Sequence, residues 1–253
     1  MSAGPTITLY GFPKHENEPS TSGYCQKLET FFRATGFTTY THSATLNNYA
    51  PKKKLPYIEL KYPFGKVETI ADSHFIIKRL IANGITSDPD ASLTPTQRSD
   101  SRAWIVWTEE LIYSAIVNTR WGRDHNYNSI VQGLPVPWPL QSPLGWYLRR
   151  NITSALWTAG VGRHSEEELE SILQEYVDAL ALKLDGTEFF FGTEPTLVDV
   201  VAYSFLANSL CVGEGNSEYQ LMILKKERLK TYVASLTERW FPEYRKLLEK
   251  VNE

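Results

Sequence analysis

The apolar periodicity of this chain changes character near residue 85, and that change rules out a fold of one structural class. Up to Leu80 the period switches repeatedly between two and about 3.6 residues. Ile7-Thr8-Leu9-Tyr10 alternates as a strand does, and Lys14 to Ser22, polar and interrupted by Pro19, reads as a loop. From Gly23 a helix begins, with Tyr24, Leu28, Phe31, Phe32 and Thr35 on one face and Gly36 suited to the turn after it. Thr38-Thr39-Tyr40-Thr41 is β-branched and aromatic, which favours a second strand. Pro56 to Leu60 and Lys66 to Ile70 predict a hairpin across Pro63-Phe64-Gly65, and Asp72-Ser73 caps a helix carrying Phe75, Ile76, Ile77 and Leu80. Strands interleaved with helices predict a small mixed sheet with helices on its faces over residues 1–85.

Beyond Pro89 only helical patterns remain. Thr94-Pro95-Thr96-Gln97 is a capping box with proline at the first helical position, and Trp104, Trp107, Leu111 and Ala115 follow at three- and four-residue steps. Ser165 to Glu168 is a second capping box, opening a helix that aligns Leu169, Ile172, Leu173, Tyr176, Val177, Leu180 and Leu184. Thr196-Leu197-Val198-Asp199 caps an almost wholly apolar helix, which predicts a central position. Two more helices are expected, around residues 219–236 and 238–251. Residues 122–145 contain Pro135, Pro137, Pro139 and Pro143 and are read as an irregular insertion. The expected architecture is therefore α/β over 1–85 and all-α over 90–253.

Composition narrows the partners. With 26 Lys+Arg against 29 Asp+Glu in 253 residues, the chain lacks the broad basic face of a nucleic-acid binder. No apolar run is long enough for a membrane span, and Met1 to Thr6 has none of the marks of a signal peptide. Two cysteines, Cys25 and Cys211, are too few for a disulfide framework or a zinc cluster, so no metal is expected and a reducing, cytoplasmic setting is. Nucleotide, zinc-protease and nucleophile-elbow motifs do not occur.

Four stretches share an order with one family. They are Tyr24 to Phe31, Lys54 to Glu59, Ala71 to Ile77, and Phe191 to Asp199. In this order and spacing they resemble the glutathione transferases, and within them the failed-axon-connections and metaxin-like branch. The resemblance implies a thioredoxin-like first domain, a helical second domain, glutathione as co-substrate or cofactor, and a homodimer.

It also places the chemistry. A thioredoxin-like module sets Ser22 at the N-terminus of the first helix, where free N–H groups and the helix dipole favour an anion. Ser22-Gly23-Tyr24-Cys25 has the form of a CxxC whose first sulfur has become a hydroxyl. That removes dithiol redox chemistry and leaves a donor for a bound thiolate, as in serine-type transferases. Ser22 is equally suited to be a helix cap and nothing more, with Tyr10, Ser20, Thr21 and Tyr24 as rival donors. By resemblance, Leu55-Pro56 is the family's cis-proline site facing the cysteinyl part of glutathione, Lys54 meets the glycyl carboxylate, and Asp72-Ser73 grips the γ-glutamyl end. Trp104, Trp107, Tyr113 and Trp138 are assigned to a pocket for a small hydrophobic electrophile, because apolar concave surfaces line ligand sites. Ionising a thiol of pKa near 8.5 fully at pH 7 gains only about 30-fold, so the aromatic half would have to supply the rest. The expected function is thus glutathione transfer to a hydrophobic electrophile, with secondary metabolism as an analogy. The alternatives are cis–trans isomerisation of an unsaturated carbonyl and a non-enzymatic adaptor.

Overall fold

The computed structural model describes residues 4–63, 65–134, 136–211 and 217–253. Phe64 of the expected hairpin turn and Pro135 of the insertion lie outside them. The first domain runs β1 (Thr6–Gly11), α1 (Gly23–Ala34), β2 (Tyr40–Ala44), β3 (Tyr57–Lys61), β4 (Val67–Ala71) and α2 (Ser73–Ala82). The sheet order is β2-β1-β3-β4, with β1 and β2 parallel and the other pairs antiparallel. Ile7 pairs with Leu60 and Leu9 with Ile58, so the alternation puts all four on one face. That face is buried in the core that also holds Leu28, Phe31 and Phe32 of α1 and Ile76, Ile77 and Leu80 of α2. On the opposite face Tyr10 stacks on Tyr57 at 4.4 Å, beside a small cluster of Cys25, Ala50 and Leu55.

The second domain is helical: α3 (Pro95–Val106), α4 (Tyr113–Gly122), α5 (Asp124–Gln132), α6 (Trp138–Ala159), α7 (Glu166–Lys183), α8 (Leu197–Cys211), α9 (Ser217–Leu224), α10 (Glu227–Trp240) and α11 (Arg245–Asn252). Both expected capping boxes form, at Thr94 and Ser165. α8 is buried at every residue from Val198 to Leu210 and lies directly against α1. The close approach needs Gly23, where a Cβ would stand 2.9 Å from the Phe205 ring.

Three expectations are corrected. The insertion is not irregular, because α5 and α6 occupy most of residues 122–145. Pro137 precedes α6 and Pro139 lies in its first turn, where a missing N–H costs no helical bond; only Pro143 is interior. Gly145 lets α6 close on α5, since a Cβ there would reach within 2.5 Å of Val131. The helix from Thr94 is not uniform either: Trp107–Ile112 is a widened π turn between α3 and α4. Residues 217–252 form three helices rather than two, with breaks at Lys226 and at Phe241 to Tyr244.

Candidate functional site

The loop after β1 delivers Ser22 to the start of α1. Ser22 has extended backbone angles, and its hydroxyl accepts the Cys25 N–H at 3.4 Å, so it is the N-cap. The loop behind it is held from the second domain. Ser20 donates its N–H to Gln26 (2.8 Å) and accepts the Ser22 N–H at its hydroxyl (3.2 Å). Asn208 of α8 donates to the Ser20 carbonyl at 2.7 Å, and Arg120 of α4 donates to Asn208 at 3.0 Å. Ser20, Ser22, Asn208 and Arg120 are all buried. Burial lowers the Arg120 guanidinium to about 10.

Cys25 is buried as well. Burial pushes its thiol up against the opposing hydrogen bonds from the Phe12 backbone and from the Ser22 and Ser20 hydroxyls. It is a packing residue, as its place on the apolar face of α1 predicts. Cys211 is pushed up to about 12, again by burial first. Neither thiol is poised as a nucleophile.

The rival donors are occupied or turned away. The Tyr24 hydroxyl donates to the Glu109 carbonyl at 2.8 Å, and burial drives its pKa far upward. Tyr10 donates to Glu59 at 3.0 Å, and Thr21 is exposed.

The remaining expected residues are distributed as follows. The Leu55–Pro56 bond is cis, Leu55 is buried, and Lys54 is exposed beside it. Asp72 has φ 84°, a left-handed conformation, and caps α2 by accepting the His74 N–H at 2.9 Å. Ser73 is buried at the first position of α2. Of the four proposed pocket residues, Trp104 and Trp107 are in ring contact with each other, and Tyr113 and Trp138 are placed differently. Trp104 and Trp107 pack on each other and on Tyr176, and Tyr113 packs edge-on against Tyr24 and Phe205. Trp138 stands 82% exposed at the start of α6, a position unsuited to lining a pocket.

Two clefts open elsewhere. One, of about 360 Å³, lies between α2 and α3 and is lined by Lys27, His74, Lys78 and Arg102 among others. The other borders β4 and α2 at Phe75 and Arg79. Neither is lined by Ser22, Lys54, Leu55 or Ser73. Among the described residues no group of three or more His, Cys, Asp or Glu side chains is placed to hold a metal ion. No helix in them is long and apolar enough to cross a membrane.

Several contacts around the site escape a reading of sequence. Lys27 and Glu109 form a buried ion pair joining α1 to the π turn, yet each is a charged residue in a helical stretch. Arg120 and Asn208 are 88 positions apart, and no local signal connects them.

Comparison with known proteins agrees with this arrangement. Residues 23–127 match the glutathione S-transferase N-terminal domain, and residues 173–236 match the glutathione S-transferase C-terminal domain. Failed axon connections of Drosophila melanogaster is 31% identical, across 97% of this chain and 60% of that protein. Human Metaxin-1 is 26% identical, across 84% of this chain and 46% of its own length. The chain thus spans about half to three-fifths of these relatives. Among solved structures, glutathione transferase F7 from Populus trichocarpa superposes with a TM-score of 0.59 at 12% identity, covering 98% of this chain and 100% of that one. Beta-etherase LigF from Sphingobium gives 0.60 at 16%, covering 97% and 99%. A family member from Pseudomonas fluorescens, solved with two glutathione molecules bound, gives 0.60 at 14%, covering 96% and 92%. At these identities the superpositions speak for the fold.

Proposed function

The chain belongs to the glutathione transferase superfamily, among its failed-axon-connections and metaxin-like members, and we propose that it works as a binding protein, an adaptor on the transferase fold, rather than as a thiol-activating catalyst. The observation that carries this reading is the condition of Ser22. Ser22 is only 7% exposed, its hydroxyl is hydrogen-bonded to the buried Cys25 thiol besides accepting the cap N–H of α1, and the ring hydroxyls nearest in sequence, Tyr10 and Tyr24, are committed to other acceptors. A group that activates a bound thiolate has to reach it with a free donor. The engagement of Tyr113 with Tyr24 and Phe205 and the exposure of Trp138, apart from the Trp104–Trp107 pair, support the same reading. The likeness to Failed axon connections over nearly the whole chain supports the same side.

The competing reading, a glutathione-dependent enzyme that conjugates or isomerises an unsaturated substrate, draws on Asp72–Ser73. There a left-handed Asp72 caps α2 at 2.9 Å, and Ser73 opens the helix beside it, in a place suited to a carboxylate. The two readings separate on one pair of measurements with the purified chain. Glutathione binding is followed by calorimetry, and turnover is followed with glutathione and 1-chloro-2,4-dinitrobenzene. The expected result is turnover no faster than the uncatalysed reaction, with any glutathione binding unchanged in Ser22→Ala. Turnover that falls ten- to hundredfold in Ser22→Ala would overturn the adaptor reading.

A further inference from the structure

Three of the chain's seven tryptophans stand out on a single helix. On α6, Trp138 is 82% exposed, Trp146 60% and Trp157 59%, with Leu140 and Tyr147 at 57% each. Only Gly145 and Leu156 of its 22 residues are buried. Large rings exposed in such number on one element mark a contact surface, because isolated exposed apolar residues are scattered rather than aligned. Two of the rings are aligned: Trp146 and Trp157, with Arg150 between them, at i, i+11 and i+4, fall within roughly 40° of one another around the helix. Tyr147 flanks them.

The charges on this helix are one-sided. Residues 138–159 contain no Asp or Glu. The Arg150 guanidinium lies 5.8 Å from the centre of the Trp146 ring, and that of Arg163, just past the helix, lies 5.6 Å from Trp157. Arg149 is used differently, donating to Asp124 at 2.8 Å. The outer face of α6 therefore pairs each of two indoles with a cation and offers no acid.

We infer that this face seats the protein on an anionic lipid surface, with the indole and phenol rings among the headgroups and Arg150 and Arg163 against lipid phosphates. Rings with an apolar body and a polar edge, flanked by cations, suit the bilayer interface. A second copy of the chain fits poorly. A two-fold contact through α6 would bring Arg150 and Arg163 of both copies together with no carboxylate on the face to meet them. A folded protein partner would have to supply both a recess for each ring and acids for the cations, whereas headgroups yield around a convex ridge and carry the phosphates already. The contact is peripheral, since no described helix can span a bilayer. It is also independent of whether the thiol site is catalytic.

The test is co-sedimentation of the purified full chain with phosphatidylcholine vesicles, with and without phosphatidylserine. The expected result is that the protein pellets with the anionic vesicles and less with the neutral ones. Trp146→Glu with Trp157→Glu should leave it in the supernatant. Both rings are more than half exposed and belong to no core cluster, so circular dichroism and the thermal midpoint should hold. Arg150→Gln should weaken binding roughly fivefold and reduce its sensitivity to salt. Wild-type protein that stays in the supernatant with anionic vesicles overturns the inference. So does vesicle binding unchanged in the double tryptophan variant, or a double variant that alters only the oligomeric mass in sedimentation velocity.

Discussion

The Ser22 hydroxyl uses its acceptor and its donor inside the fold, accepting the Cys25 N–H and hydrogen-bonding the Cys25 thiol. As an N-cap it satisfies an N–H that α1 would otherwise leave orphaned, and such caps contribute about 1 kcal/mol. Ser22→Ala should then lower the thermal midpoint by roughly 2–4 °C for a chain of this size. On the adaptor reading nothing else changes, and differential scanning calorimetry beside the glutathione titration checks both halves. Two histidines give a residue-scale prediction about pH. Burial holds His42 below the usual imidazole value, and burial followed by the Arg102 and Lys27 charges does the same for His74. An imidazole with a lower pKa folded than unfolded takes up protons on unfolding. Its contribution to stability is therefore present above about pH 6.5 and is lost as pH falls toward the folded value. The urea midpoint should drop between about pH 7 and pH 5, and His42→Gln with His74→Gln should flatten that drop. An unchanged slope in the double variant would show that other groups carry it.

At the scale of elements, the start of α8 is fixed by four hydrogen bonds to one buried carboxylate. One Asp199 oxygen accepts the Phe190 N–H at 3.1 Å and the Tyr232 hydroxyl at 3.0 Å; the other accepts the Thr196 N–H and hydroxyl, both at 2.8 Å. Burial still pushes the carboxyl up against these donors. Asp199→Asn would turn an amide donor toward two existing donors. The cost should be on the order of 1–3 kcal/mol, each kcal/mol being about 2–4 °C of midpoint, with larger loss of far-UV helical signal on warming. The local half of this joint, Thr196 to Asp199, was legible because a cap lies within three or four positions, whereas the Phe190 and Tyr232 bonds, nine and 33 positions away, were not. The strands, the hairpin and both capping boxes were legible for the same reason. The α5–α6 hairpin was not, since four prolines read as breaks when counted, and only the positions of Pro137 and Pro139 at the start of α6 show that these two are harmless. The site divides along the same line. Ser22, Leu55–Pro56 and Asp72–Ser73 sit in short motifs, whereas Arg120, Asn208, Lys27 and Glu109 are set by packing between elements distant in sequence.

Taken whole, the two domains share a core rather than merely touching. α1 belongs to the sheet domain by sequence, yet it is sealed by the helical one. Gly23 lies under Phe205, and Ser204 donates to Thr30 at 2.9 Å. Lys27 is ion-paired with Glu109, Lys14 bridges Glu29 (2.6 Å) and the Tyr244 hydroxyl (3.1 Å), and Arg33 donates to the Trp240 carbonyl at 2.8 Å. Breaking a buried ion pair from one side alone typically costs about 3–5 kcal/mol, so the domains cannot part without stranding charges in α1. They should consequently unfold together. All seven tryptophans lie at or beyond Trp104, so their fluorescence reports the helical domain alone. In a Cys211→Ser background, the remaining thiol, Cys25, reports the sheet domain, where it is buried on α1. Along a urea gradient, the red shift of the tryptophans and the reactivity of Cys25 toward a thiol reagent should trace one transition with one midpoint. Lys27→Met should move both curves to lower urea by the same amount, and Lys27→Met with Glu109→Leu should bring both part of the way back, since no unpaired charge is then left inside. Cys25 reacting at a urea concentration where the tryptophan signal is still native would show that α1 detaches first, and the shared core would have to be abandoned as the source of cooperativity.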